Sequence, residues 1–450
     1  MAKHENFFIN EDGTENSSEF DLNSELNEPN KTDKVKKRIV RLNQTFDPKH
    51  ESFFINEDGS EGRSNFNFNS ERGKLKKSLD RLKSMSVQEF TFYKKWEELK
   101  QEGVVKIASH AHITHKRIWK PTDIKDEEMT IKEIQNLDPV VEFVGDGSSR
   151  YEDWMNLRLF CHTMEFNQNP GRFLRFIIFD RTSKKYLGVL SVASDVISIT
   201  DRDKYIGWNS ENRLTDKRLA HTAIGSCIMA TQPFGYNFLG GKLIACLATS
   251  KVVRDKWEES YNQKLVGMTT TSLYGSFSMY NNIKWWHKCG TSSGKILIKP
   301  DQTCYDIWHQ WIKEEMTEKY NKAMTQKEGV SGPVTAAKLR ILSMIMNACD
   351  IKQKDYVHGY ERGVYYSCFY ENTKEFLQNK IKENELVMKP LISGDAKNIL
   401  DWWKPKAIER YRKLFDEDNI KNSTLFYDSM VDMTYEQSKS KFFADVGKGK

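Results

Sequence analysis

No apolar run in this chain approaches the roughly 18 to 20 residues that a membrane helix needs. The opening MAKHENFFINEDG also lacks the basic-then-apolar pattern of a secretory leader. We therefore expect no membrane association and a cytoplasmic location. Cysteine is sparse and unpatterned: the seven residues, at 161, 227, 246, 289, 304, 349 and 368, form no CxxC pair. That spacing argues for reduced thiols and against a paired-CxxC zinc site, so no metal is expected. Strong basicity is missing too. A net charge of +6 permits contact with a polyanion without demanding it.

The 450 residues suggest about two to three structural units at roughly 150 residues each. A mean hydropathy of −0.68 places a polar excess in tails or linkers. Residues 1–85 carry that excess. Residues 1–30 hold eight acids against Lys3 alone, and Lys31, Lys34, Lys36, Lys37, Arg38 and Arg41 then reverse the sign. Block charge with little apolar content does not offset the entropy of ordering, which predicts a disordered arm. Within it HENFFINEDGTENSSEF (from His4) repeats as HESFFINEDGSEGRSNF (from His50). Two copies are too few for a solenoid. Either they present a docking motif to a protein partner with avidity, or they are duplicated linker. The ligand spacing does not fit an EF-hand.

Residues 86–134 read as a helix and strand connector: a helix over 86–103, then a strand on which His110 and His112 share a face, most simply exposed to solvent. Residues 135–300 are the structured core. Phe173–Asp180 and Tyr186–Ala193 predict a β-hairpin. Ala223–Phe234 and Lys264–Leu273 predict strands, Lys242–Tyr261 a helix, and Met279–Gly290 a short helix. Residues 301–435 read as a mostly helical extension, and 436–450 as a tail. In the last helix, Lys404, Lys406, Arg410, Arg412 and Lys413 alternate with Trp402, Trp403 and Tyr411. That pattern suits either nucleic-acid contact or an ordinary solvated helix.

The order of hairpin, strand, glycine loop, helix and strand resembles the GNAT acyltransferase fold, an α+β class with a central mixed sheet flanked by helices. That resemblance implies an acyl-coenzyme A cofactor. Glycine amides at a helix start attract phosphate, which here points to Leu239, Gly240, Gly241 and Lys242. Thr270 and Ser272, hydroxyls at the next strand's end, would join them. Tyr280 falls where GNAT enzymes often keep a general acid. Asp195 and Asp203 are loop carboxylates that suit a base or amine-orienting role, though most such residues are solvated turn positions. Trp208, Ser278, Asn281 and Trp285 are the candidate substrate contacts, with packing as the rival reading for the tryptophans.

The run Tyr186–Trp208, with Arg202, Asp203, Ile206, Gly207 and Trp208 matching RDxxIGW, resembles the DruA-type domain, known from the Druantia anti-phage system and from phage and mobile-element proteins. Tyr280, Trp285, Gly290, Thr291 and Gly294 approximate that domain's closing motif and also resemble the phage Mom DNA-modification proteins. The resemblance covers about residues 170–300. It implies a phage or mobile-element protein acting on DNA, transferring an acyl-type group to a nucleobase amine in an anti-restriction or defence role. A non-catalytic DNA-binding or scaffold protein that recruits partners through the repeats is the alternative.

Overall fold

A computed structural model describes residues 8–9, 15–16, 49–55, 61–100, 104–105, 109–163, 171–273, 278–292, 296–324, 337–359, 361–393 and 396–446. The chain divides into two compact units. One comprises Met1–Ile9, Gly13–Ser86 and Ile296–His358; the other comprises Asn10–Asp12, Val87–Lys295 and Gly359–Lys450.

In the first unit, Lys49–Ile55 pairs antiparallel with Glu61–Asn67. The first repeat copy makes the same pairing 46 residues earlier. Ile9 opposes Glu15 as Ile55 opposes Glu61, and Phe8 opposes Asn16 as Phe54 opposes Gly62. Most of the predicted arm lies outside the described residues, but Phe68–Ser84 is helical. Asn67 caps it by accepting from the Ser70 amide at 3.0 Å. Leu75, Leu79 and Leu82, spaced by four and three, bury one face. That seam is only three leucines wide in a polar segment, so composition alone hides it. Phe66 and Phe68 seat on Trp308 and Trp311 of the helix Gln302–Glu315, with ring centroids 5.3–5.8 Å apart.

The second unit is a mixed α+β body built on a seven-stranded sheet. Its strands are β1 (Pro139–Phe143), β2 (Phe173–Asp180), β3 (Tyr186–Ser194), β4 (Thr222–Ala230), β5 (Gly267–Ser272), β6 (His287–Ser292) and β7 (Arg362–Cys368), in the order β6-β7-β5-β4-β3-β2-β1. Every pairing is antiparallel except β4 with β5. A parallel pair requires a crossover, supplied by α6 and α7 below. The helices that frame the sheet and its cleft include α1 (Val87–Leu99), α2 (Ser109–Lys116), α3 (Glu127–Asn136), α4 (Tyr151–Cys161), α5 (Thr200–Ile206), α6 (Gly240–Leu247), α7 (Lys251–Tyr261), α8 (Lys397–Asp416), α9 (Phe426–Met430) and α10 (Tyr435–Val446).

Helices cover both faces of the sheet, which is why its inner strands read as unbroken apolar runs. Along β2, Phe176 and Ile178 join one core with Leu190, Ile244, Leu247 and Trp403, while Ile177 and Phe179 join another with Trp154, Leu157 and Val189. A third cluster packs Phe92 and Trp96 of α1 on Phe426, Met430 and Phe442. Gly188 sits where a Cβ would lie 2.4 Å from the Met229 carbonyl oxygen, so β3 and β4 approach closely there. Among the described residues, no helix is long and apolar enough to cross a membrane.

Several local expectations differ from the structure, among them the tail over 436–450, since Tyr435–Val446 is a helix that buries Phe442. His110, His112 and His115 lie on helix α2 rather than a strand. Thr114 and the two outer histidines find partners on α4 and α9, and those contacts favour the helix. The predicted helix over 242–261 is two helices, parted at Ala248–Ser250. Met279–Gly290 is not helical. It makes turns and then enters β6, whose pairing partner β7 comes much later in the chain.

A candidate ligand cleft between splayed strands

β4 and β5 pair only at Thr222–Gly267, Ala223–Met268 and Ile224–Thr269. Beyond that point β5 stays with β7, pairing Thr270, Thr271 and Ser272 with Tyr365, Val364 and Gly363. β4 stays with β3, and a bulge at Ser226 turns it away, because Ser191 faces Cys227 while Val192 faces Gly225. The two parallel strands therefore open into a V. The cleft between them has a volume of about 290 Å³.

Its walls include Ser226, Ile228, Met229 and Ala230 from β4, Thr270, Thr271 and Ser272 from β5, and Leu273 directly after it. At the apex, the Thr270 hydroxyl donates to the Gly225 carbonyl (3.1 Å) and lies 3.3 Å from the Tyr280 hydroxyl. The Tyr280 ring rests against Trp286 and Tyr365. Thr270 thus ties the diverging strands together, and Thr270→Val removes that tie. We expect a loss of about 1 kcal/mol in urea unfolding; an unchanged midpoint contradicts this role.

Of the cofactor residues expected from sequence, Gly241, Thr270 and Ser272 line the cleft, whereas Leu239, Gly240 and Lys242 do not. Gly240 serves packing, since a Cβ there would lie 2.4 Å from the Phe234 ring. Leu239 takes a left-handed backbone (φ 53°), and its carbonyl and that of Phe238 accept from the Trp403 indole at 3.2 and 3.0 Å. The Lys242 ammonium donates to the Asn281 carbonyl, and burial lowers its pKa. Of the substrate candidates, Ser278 lines the cleft. Asn281 also accepts from the Tyr365 hydroxyl at 2.7 Å. Trp285 is buried against Trp402.

Asp195, Asp203 and Trp208 gather elsewhere, around the fully buried Arg202. Arg202 Nη1 donates to Asp195 (2.8 Å), and its Nε and Nη2 donate to Asp203 (2.9 and 2.7 Å). Thr269 donates to Asp195 at 2.7 Å, while Arg213 and the Trp208 indole reach Asp203 at 2.6 and 2.9 Å. Burial pushes the Asp195 carboxyl up against the pull of Arg202 and Thr269. The RDxxIGW motif is thereby explained as a clamp. Arg202 and Asp203 form its ionic centre, Ile206 is buried, Gly207 closes α5 with φ 78°, and Trp208 returns to Asp203.

His162, a possible base from sequence, and Gly235, which opens the glycine-bearing loop over 235–242, also line the cleft; Cys161, Thr163, Gln232 and Leu425 complete its wall and were not singled out from sequence. Gln232 and Gly235 carried a signal, because Gln-x-x-Gly directly after a strand fits the start of a phosphate-loop pattern. Leu425 carried none, since it reaches the cleft through a separate element. Among the described residues, no cluster of three or more His, Cys, Asp or Glu is placed to hold a metal.

The family described as Druantia protein DruA matches residues 93–379. The Druantia protein DruA of Escherichia coli (strain UMEA 4076-1) is 26% identical over 317 residues, covering 62% of this chain and 73% of its own length. No solved structure matches the chain. These matches overturn the expectation of a phage or mobile-element DNA-modification protein with an anti-restriction role. That expectation leaned on a closing motif shared loosely with Mom proteins, whereas the family match runs through the whole sheet. This chain belongs to the Druantia protein DruA family.

Proposed function

We propose that this chain serves a Druantia defence system and that its splayed sheet is a GNAT-like cleft for an extended, thiol- and phosphate-bearing ligand of the acyl-coenzyme A type. The observation that carries the ligand reading is the V between β4 and β5, which leaves two strand edges facing each other with no strand between them. Backbone N–H and C=O groups on such edges seek partners. An amide-containing arm of pantetheine type offers them in the required alternation. At the apex, Thr270 and Tyr280 place hydroxyls where the ligand's sulfur end arrives. Gly241 lines the same cleft, where a Cβ would approach Met279 Sδ to 3.0 Å.

Calorimetric titration of the full chain with coenzyme A tests this reading. Gly241→Asp sets a carboxylate on the cleft wall and is expected to weaken binding by at least roughly tenfold, with the melting temperature little changed. Gly240→Asp is unsuitable as a probe because Phe234 occupies the space. Absence of coenzyme A binding by the wild-type chain defeats the proposal.

A further inference from the structure

We propose that Arg410 and Lys421, from the C-terminal extension, seat the pyrophosphate of the nucleotide-derived ligand at the mouth of the β4–β5 cleft. The inference rests on the ligand reading above and assigns its charged end. The Arg410 guanidinium lies 5.2 Å from the centre of the Tyr236 ring, and the Lys421 ammonium lies 5.1 Å from it. Tyr236 directly follows Gly235, a cleft wall residue, and its amide donates to Gln232, another, at 2.9 Å. Both cations thus lie beside the loop that carries the cleft-wall residues Gln232 and Gly235.

Their placement is built into the fold. Asn237, fully buried, holds Lys421 from both sides: its Nδ2 donates to the Lys421 carbonyl (2.6 Å), and its Oδ1 accepts from the Lys421 amide (3.1 Å). The Lys421 ammonium donates to the Asp445 carbonyl at 3.1 Å, which steadies the side chain beside the ring. On α8, Trp403 anchors the helix to the same loop through the Phe238 and Leu239 carbonyls. Arg410, seven residues on, has a buried Nε with no partner. Two cations within 5.2 Å of one ring centre suit an anion with two charged centres, as a pyrophosphate has. Arg410 and Lys421 both lie beyond residue 379, where the family match ends.

Coenzyme A and pantetheine, titrated separately into the full wild-type chain and into Arg410→Gln and Lys421→Gln, test the inference. Coenzyme A is expected to bind each variant at least roughly tenfold more weakly, and the wild-type affinity is expected to fall with added salt. Pantetheine, which lacks the pyrophosphate, is expected to bind all three chains alike, which also shows that the variants are folded. Unchanged coenzyme A affinity in both variants overturns the seat while leaving the cleft reading intact. Equal loss of both ligands assigns the residues a structural role and overturns the seat. Failure of the wild-type chain to bind either ligand overturns the cleft reading and the seat together.

Discussion

Arg202→Met is expected to cost about 3 to 5 kcal/mol, well beyond what loss of a surface ion pair brings. The Arg202 and Asp195 side chains are both wholly inaccessible to solvent and are joined at 2.8 Å. Methionine keeps much of the stem volume but removes the charge that two carboxylates share. Asp203 keeps Arg213 at 2.6 Å, along with Ser198 and the Trp208 indole. Asp195 keeps neutral donors, the Thr269 and Thr222 hydroxyls and the Val196 amide. It is therefore the group left as an uncompensated buried charge.

The pH dependence of that defect has a definite sign. Burial already raises the Asp195 carboxyl with Arg202 present, and removing the guanidinium raises it further. A carboxyl whose folded pKa lies above its unfolded one contributes stability when protonated and loses it as pH rises through the folded value. The Arg202→Met defect should therefore be smaller near about pH 5 than near about pH 8, and adding Asp195→Asn should recover part of it. Urea unfolding, with hydrogen exchange read in β3 and β5, checks both points. A defect below about 1 kcal/mol, or one equal at both pH values, contradicts the assigned role.

The same cluster shows why some of the site was unreadable from sequence. Asp195 and Asp203 sit between strands with polar neighbours, which is the pattern of a solvated turn. Only the tertiary placement of Arg202 turns them into a buried ionic clamp. The hairpin β2–β3 was legible because two apolar runs are bounded by the polar turn at 181–185, and both faces of those strands are covered. β7 was not recognised as a central strand. It enters between β5 and β6 after the chain has built part of the other unit, and no local pattern encodes a partner so distant. In the cleft, Gly241, Thr270, Ser272, Ser278 and Tyr280 were legible because they lie within one crossover and its exit. Ser226 depends on a bulge, and a bulge is a matter of register between strands. Cys161, His162, Thr163 and Leu425 depend on how α4 and the segment before α9 meet the sheet.

Replacing His115 by phenylalanine is expected to keep the contact between α2 and α9 and make it insensitive to acid. The His115 ring stacks on Tyr427 at 3.5 Å between centroids and 10° between planes, and its Nδ1 is buried without a partner. Burial lowers its pKa from 6.5 to about 4. Asp428, 3.6 Å from Nε2, pulls the other way, while Lys120 and His112 add to the lowering. His112 is itself tied to the Tyr427 hydroxyl at 2.5 Å, so the three rings form one seam. The unfolded chain takes up a proton near about pH 6.5, whereas the folded chain resists until about pH 4. Stability contributed by this seam is thus complete above the unfolded value and lost as pH falls through that window. Allowing for partial solvent contact, the loss is about 2 kcal/mol. Phenylalanine keeps the stacking and does not titrate. Hydrogen exchange of α9 amides between about pH 7 and about pH 4.5 should show wild-type opening becoming easier by about that amount relative to His115→Phe. Parallel profiles for the two chains would mean that His115 carries no proton-linked part of this contact.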